Sequence, residues 1–148
     1  MLAVVQRVSQ AQVSIDNQVT AKIGPGFVIL LGVVKTDTSQ DLDYLVKKTS
    51  QLRILADKHN KMNLSLKDIN GQVLVIPQFT LAANTKKGNR PSFVKAADPQ
   101  TGKKYFQDFV NQLQATGLKV STGKFASYMQ VNLTNDGPVT IIINSKHK

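Results

Sequence analysis

Three segments of this 148-residue chain carry residue types that could do chemistry. In Pro77-Gln78-Phe79-Thr80-Leu81-Ala82, a carboxamide, an aromatic ring, a hydroxyl and a run of backbone amides gather where the apolar stretch Gln72 to Ile76 ends. Such a strand end can offer Thr80 as a nucleophile. A hydroxyl attacks only with a base beside it, and the sequence places none there. Both histidines lie elsewhere, His59 in the turn-like Asp57-Lys58-His59-Asn60 and His147 in Ser145-Lys146-His147-Lys148. Cysteine is absent, and all nine acids are aspartates, scattered singly apart from Asp41 and Asp43. Neither a thiolate, a carboxylate pair nor a metal-ligand cluster stands out. What remains is hydroxyls, backbone amides and groups that a substrate brings with it, so no metal and no cofactor is expected.

The second segment is Asn135-Asp136-Gly137-Pro138-Val139-Thr140, a Gly-Pro pair between two stretches that read as strand. Glycine permits a positive φ or a close backbone approach, while proline fixes φ and removes a donor, so the pair can present carbonyls outward. Because Asp-Gly is a strong turn signal, the segment taken alone reads as a hairpin turn, with a strand corner as the alternative. The third segment is basic. Lys86, Lys87, Arg90, Lys95, Lys103 and Lys104 fall in one stretch whose only acid is Asp98, within a chain of net charge +10. Such an excess suits a polyanion, with nucleic acid the leading candidate; a solvated loop face would look similar.

These segments need elements to position them. Leu2 to Val8 and Ala11 to Ile15 read as short strands, with Asp16-Asn17-Gln18 turning into Val19 to Ile23. Phe27 to Val34 is continuously apolar, as in a central strand covered on both faces. Thr38 or Ser39 can cap a helix over 39–52, whose apolar positions Leu42, Leu45, Val46, Thr49 and Leu52 share one face. A short strand is predicted at Arg53-Ile54-Leu55, another ends at Phe79, and residues 82–97 read as a long basic loop. Asp98-Pro99 opens a second helix with a Tyr105, Phe106, Phe109, Val110, Leu113 stripe, closed by Gly117. Strands follow at Leu118 to Val120, at Ala126 to Asn135 and from Val139 to Asn144. The expected fold is a single compact α/β domain over 1–148, strand-rich, with layered mixed β-sheets and two helices packed on one side.

A hydrophobic content of 41% excludes a disordered chain. No long apolar span or signal-peptide pattern is present at the N-terminus given, which leads to a cytoplasmic expectation. The helical aromatic stripe reads as core. Phe79 and Phe93 could stack a base, although core packing is the simpler expectation for each.

Taken in order, Gln6-Arg7-Val8, Lys61-Met62-Asn63, Gln78-Phe79-Thr80-Leu81-Ala82, Arg90-Pro91-Ser92-Phe93, Met129-Gln130-Val131 and Asn135 to Thr140 resemble the D-aminoacyl-tRNA deacylase family over nearly the whole chain. The resemblance implies that family's fold, a homodimer, and hydrolysis of the ester between a D-amino acid and the terminal ribose of tRNA, in some members also of mischarged glycine. It implies that Gly137 and Pro138, joined by a cis bond, enter the partner subunit's site, hold the substrate α-amino group with their carbonyls and exclude L side chains. Arg7 is implied to brace that corner and Met129 to lie near the substrate. Gln78, Phe79 and Thr80 are the implied catalytic segment, with the Phe79 and Thr80 amides forming an oxyanion hole. Water attack helped by the RNA 2′-hydroxyl fits better than attack by Thr80. Lys86, Lys87 and Arg90 are the candidate tRNA contacts.

One departure is Pro77, where the family usually has serine; proline supplies neither hydroxyl nor amide donor there. The competing reading is a basic tRNA- or RNA-binding module without chemistry. A blander one has the Gly-Pro corner only closing a dimer interface.

Overall fold

The computed structural model describes residues 1–86 and 88–147. Its frame is a six-stranded mixed sheet in which β1 (Leu2–Ile15) is the shared partner. The first half of β1 runs antiparallel to β3 (Gly26–Gly32), and its second half leaves β3 to pair with β2 (Gln18–Ile23). Along the other edge of β1 lies β8 (Gln130–Asn144), antiparallel throughout. Parallel pairing then carries β3 to β6 (Gln72–Pro77) and β6 to β7 (Lys119–Thr122). Two short strands, β4 (Leu55–Ala56) and β5 (Met62–Leu64), form a separate ladder.

Strand alternation sends alternate residues to opposite faces of this sheet. Ala3 and Val5, Phe27, Ile29 and Leu31, and Val73 and Val75 share one face, packed in a single core with Leu42, Leu45 and Val46 of α1 (Ser39–Gln51) and Phe106, Phe109, Val110 and Leu113 of α2 (Pro99–Ala115). Both helices therefore lie on one side, as the apolar periodicities predict. Val28, Leu74 and Ile76 point the other way and meet Val8, Ala11, Val13 and Ile23, so the sheet curls around a second, smaller core. Fully buried side chains such as Phe109 and Leu113 each contribute about 1.5–3 kcal/mol of transfer free energy.

Caps set the helix ends. The Asp98 carboxylate accepts from Thr101 N at 2.9 Å, with Pro99 in the first turn of α2. At α1, the N-cap residue is Thr38, whose N and Oγ1 both donate to Asp41 Oδ2 at 2.9 Å. Lys146 Nζ also donates to that oxygen at 2.6 Å. Burial pushes the Asp41 carboxyl up, but the bonds from Lys146, Thr38 and Ser145 outweigh it and hold the group below its ordinary value. α2 ends at Ala115, before Gly117 adopts a positive φ of 88°.

Three sequence expectations change. The predicted pair of N-terminal strands is one 14-residue strand, because β8 pairs with both halves across the register shifts near Val8. The short strand predicted at 53–55 sits at Leu55–Ala56. The expected strand from Ala126 begins only at Gln130, since Ala126 takes a positive φ of 57° that breaks extension.

Candidate active site

Gly137 and Pro138 do not turn a hairpin. A hairpin would pair the two flanks with each other, whereas both pair with β1 as one continuous strand: Asn135 opposes Val8 and Thr140 opposes Gln6. Between these pairs β8 has more residues than β1, and the surplus is pushed out as a strand corner containing the cis Gly137–Pro138 bond. Asn135 closes its base, donating through Nδ2 to Thr140 Oγ1 at 3.2 Å and accepting from Val139 N at 3.1 Å. Arg7 closes its flank: Nε donates to Asp136 O at 2.8 Å and faces Asp136 Oδ2 at 3.2 Å, while Nη1 donates to Ile54 O at 2.8 Å. Burial of this guanidinium makes the carbonyl partners necessary, since a buried charge without partners is costly. Gly137 has φ 130°, and a Cβ there would stand 2.9 Å from Arg7 Nη2 and 2.8 Å from Val139 Cγ2. The corner itself is exposed.

Gln78, Phe79 and Met129 meet elsewhere, in a groove of about 670 Å³ whose walls also include Pro77, Ala97, Pro99, Phe106, Phe125, Tyr128 and Val131. Gln78 N donates to Leu31 O at 2.8 Å, after which Phe79–Ala82 forms a 3-10 turn. Leu81 N is the first amide of that turn to bond back, to Gln78 O at 3.2 Å; the Phe79 and Thr80 amides precede it and have no acceptor within the turn. The turn sits on Gly32, where a Cβ would come 3.0 Å from Leu81 Cβ and 3.1 Å from Gln78 O. Gln78 Nε2 donates to the Thr80 hydroxyl, and a carboxamide cannot take that hydroxyl's proton. Phe79 is 58% exposed, which corrects the expectation of core packing; its ring meets Phe93 edge-on at 5.1 Å.

The loop between β7 and β8 also lines the groove. Met129 Sδ accepts from Lys124 N at 3.3 Å and lies over Gly123, where a Cβ would be 2.8 Å from the sulfur. Pro77 keeps its place at the end of β6, opposite Leu31, with its Cδ 3.6 Å from that same Cβ position. Gly123, Phe125 and Tyr128 carried no sequence signal of their own beyond lying next to Met129.

Lys86 and Arg90 are exposed on a loop closed by reciprocal Asn84–Ser92 backbone bonds of 2.8 and 3.0 Å. The third candidate tRNA contact, Lys87, lies outside the described residues. Gly137, Pro138 and Arg7 are not among the groove's lining residues, so within this chain the corner is not part of the groove. Among the described residues, no three His, Cys, Asp or Glu side chains cluster as metal ligands, and no helix is long and apolar enough to cross a membrane.

Residues 4–144 match the family model of D-Tyr-tRNA(Tyr) deacylase. The D-aminoacyl-tRNA deacylase of Flavobacterium psychrophilum is 53% identical over 149 residues, covering 100% of this chain and 99% of that protein. That of Lacticaseibacillus casei is 53% identical over 148 residues, covering 100% of both. Among solved structures, the c-Myc DNA Unwinding Element Binding Protein superposes with a TM-score of 0.91 at 38% identity, over 97% of this chain and 98% of the other. A probable eukaryotic D-amino acid tRNA deacylase shares the fold, with a TM-score of 0.82 at 16% identity, over 96% and 97%. With the matched residues spanning the groove, the Arg7 clamp and the Gly-Pro corner, the chain belongs to the D-Tyr-tRNA(Tyr) deacylase family.

Proposed function

We propose that this protein hydrolyses the ester joining a D-amino acid to the terminal ribose of tRNA, releasing the amino acid and the tRNA, and that glycyl-tRNA is open to the same route. The observation that carries this reading is the division of the site. A rigid Gly137–Pro138 corner projects from one face, clamped by Arg7 and Asn135, while the groove beside Phe79 and Met129 lacks such a corner. A second copy supplies it. In the homodimer, the partner's corner directs carbonyls at the substrate α-amino group and leaves no room for an L side chain. Selection then works by exclusion and tolerates many D side chains.

The chemistry follows from the donors present. Water attacks the ester carbonyl, and the Phe79 and Thr80 amides receive the oxyanion. The tetrahedral species collapses with release of the ribose 3′-oxygen, which takes up the proton that the water gave up through the neighbouring 2′-hydroxyl. A lost oxyanion donor typically costs about 3 kcal/mol of barrier. Lys86, Lys87 and Arg90 neutralise phosphates of the acceptor end.

Release of amino acid from matched D-Tyr-tRNA and L-Tyr-tRNA, at equal low enzyme concentration with chelator present, tests this. Fast cleavage of the D-ester alone is expected. Equal cleavage of both esters removes the chiral reading, and tRNA binding without turnover moves the function to an inactive RNA-binding module.

A further inference from the structure

Among the described residues, Tyr128 is the most exposed of the large hydrophobic side chains, at 90% of its full surface, and it stands on the lining of the groove. Exposure of that degree usually accompanies a floppy loop, but the backbone on both sides of this ring is anchored. Gly123 N donates to Val75 O at 2.9 Å, and Met129 is held by its sulfur on Lys124 N. Phe125 is anchored between them, its ring 6.2 Å from Phe106 and against Gly102. Ala126, with its positive φ, then turns the chain so that Phe125 and Met129 point inward and Tyr128 outward. Among the described residues, its ring has no aromatic neighbour and its hydroxyl no hydrogen-bond partner. With the backbone held, a flat ligand that lands on this ring has only the side-chain torsions left to order.

Charge and position identify that ligand. The chain carries +10 overall, and the same loop adds the exposed Lys124. An aromatic face beside cations is the arrangement by which proteins hold unpaired nucleotides, the base on the ring and the phosphate near the cation. Phe79, also exposed, lines the same groove beside the amides assigned to the ester carbonyl. With the amino acid and terminal ribose in the groove, the strand must leave over one rim.

We infer that Tyr128 is a stacking platform for the unpaired nucleobase preceding the terminal adenosine of the tRNA acceptor end. This rests on the deacylase reading and adds to it a substrate-binding residue outside the reacting atoms. Base stacking tolerates any base, so the platform serves all tRNAs alike.

The test compares two D-tyrosyl esters, D-Tyr-tRNA and D-tyrosyl-adenosine, the second lacking the preceding nucleotide. Wild-type cleavage of D-Tyr-tRNA stands or falls with the deacylase reading and is scored first. Tyr128→Ala is then expected to raise KM for D-Tyr-tRNA about tenfold, within the range of aromatic–base stacking, with kcat retained and D-tyrosyl-adenosine unaffected. Tyr128→Phe and Tyr128→Trp should restore the wild-type KM, because the ring face and not the hydroxyl does the binding. Equal loss on both esters, no loss on D-Tyr-tRNA, or a Phe variant as poor as the Ala variant would overturn the platform while leaving the deacylase standing. Sedimentation of Tyr128→Ala is expected to match the wild type; a changed oligomeric state overturns the proposal by assigning the ring to a contact between copies.

Discussion

The Gly137–Pro138 corner and the groove beside Phe79 are held by opposite means. Polar clamps hold the corner: three backbone carbonyls and amides of residues 54, 136 and 139 are taken up by the side chains of Arg7 and Asn135. Missing side chains shape the groove, since Gly32 seats the 3-10 turn and Gly123 seats Met129, each leaving a space that one methyl would fill. The difference matters for function. Under the proposed function, a corner that rejects a wrong configuration must keep its carbonyls fixed, whereas a groove that accepts many side chains needs depth and apolar walls.

Breaking the polar clamp should have the largest effect. Arg7→Ala leaves the Asp136 and Ile54 carbonyls without their donor, and hydrogen bonds to a charged group are worth about 1.5–3 kcal/mol each. We expect a loss of about 3 kcal/mol in urea unfolding, with deacylation of D-Tyr-tRNA falling to the background rate. Arg7→Lys should fail almost as badly, because an ammonium cannot reproduce the guanidinium fork that reaches both carbonyls. Wild-type unfolding of Arg7→Ala would show that the corner holds itself.

Gly137→Ala attacks the same region through the backbone. It places a Cβ 2.9 Å from Arg7 Nη2 and 3.1 Å from Val139 N at a φ of 130°. A residue forced into such a conformation costs about 1–3 kcal/mol. Partial relief by moving the corner is expected, so activity on D-Tyr-tRNA should drop further than stability does. A near-normal kcat/KM would mean that the carbonyl positions are not critical.

The sequence made much of the frame legible and little of this division. Asp98-Pro99 and the aromatic stripe marked α2, and Asn70-Gly71 marked the turn before β6, because caps, periodicity and turn residues act over a few neighbours. That β1 is one strand, and that β8 continues through Gly137–Pro138, depends on each finding the other across the sheet. Local signals at Asp136-Gly137 favoured a hairpin, and tertiary pairing overrode them. Arg7 was named through its motif, but its reach to Ile54 O is a distant contact that no local pattern encodes. Phe79 misled for a related reason: a phenylalanine after an apolar strand reads as core, yet the strand ends at Pro77 and the 3-10 turn carries the ring outward.

Gly123→Ala tests the groove side of the comparison and should cost less. The atom it displaces is the sulfur of a flexible methionine, which can swing aside, so we expect about 1 kcal/mol of stability loss. Met129 would then leave Lys124 N and narrow or widen the wall it lines. KM for D-Tyr-tRNA should rise with little change in D/L selectivity. Loss of selectivity here would mean that the groove, and not the corner, reads configuration.

The smallest effect on activity is expected at Asp41, which lies in neither region and so separates stability from chemistry. Its carboxylate takes donors from Thr38 and Lys146, tying the start of α1 to the segment that follows β8. Because those bonds hold the folded-state value below the ordinary 3.8, the charged form stabilises the fold. That contribution is fully present above the unfolded value, begins to fade as pH falls below 3.8, and is gone once pH passes the lower folded-state value. Asp41→Asn keeps an acceptor but loses the charge, so it should lower the urea midpoint at neutral pH by the equivalent of about 1 kcal/mol. The gap to wild type should close in acid, where the wild-type carboxylate is itself protonated. If this variant deacylates D-Tyr-tRNA normally while unfolding earlier, then the activity losses at Arg7 and Gly137 reflect misplaced carbonyls and not a weakened fold. If instead it loses activity in proportion to stability, the corner and the groove share one cooperative unit with α1, and their contrast in construction is one of packing alone.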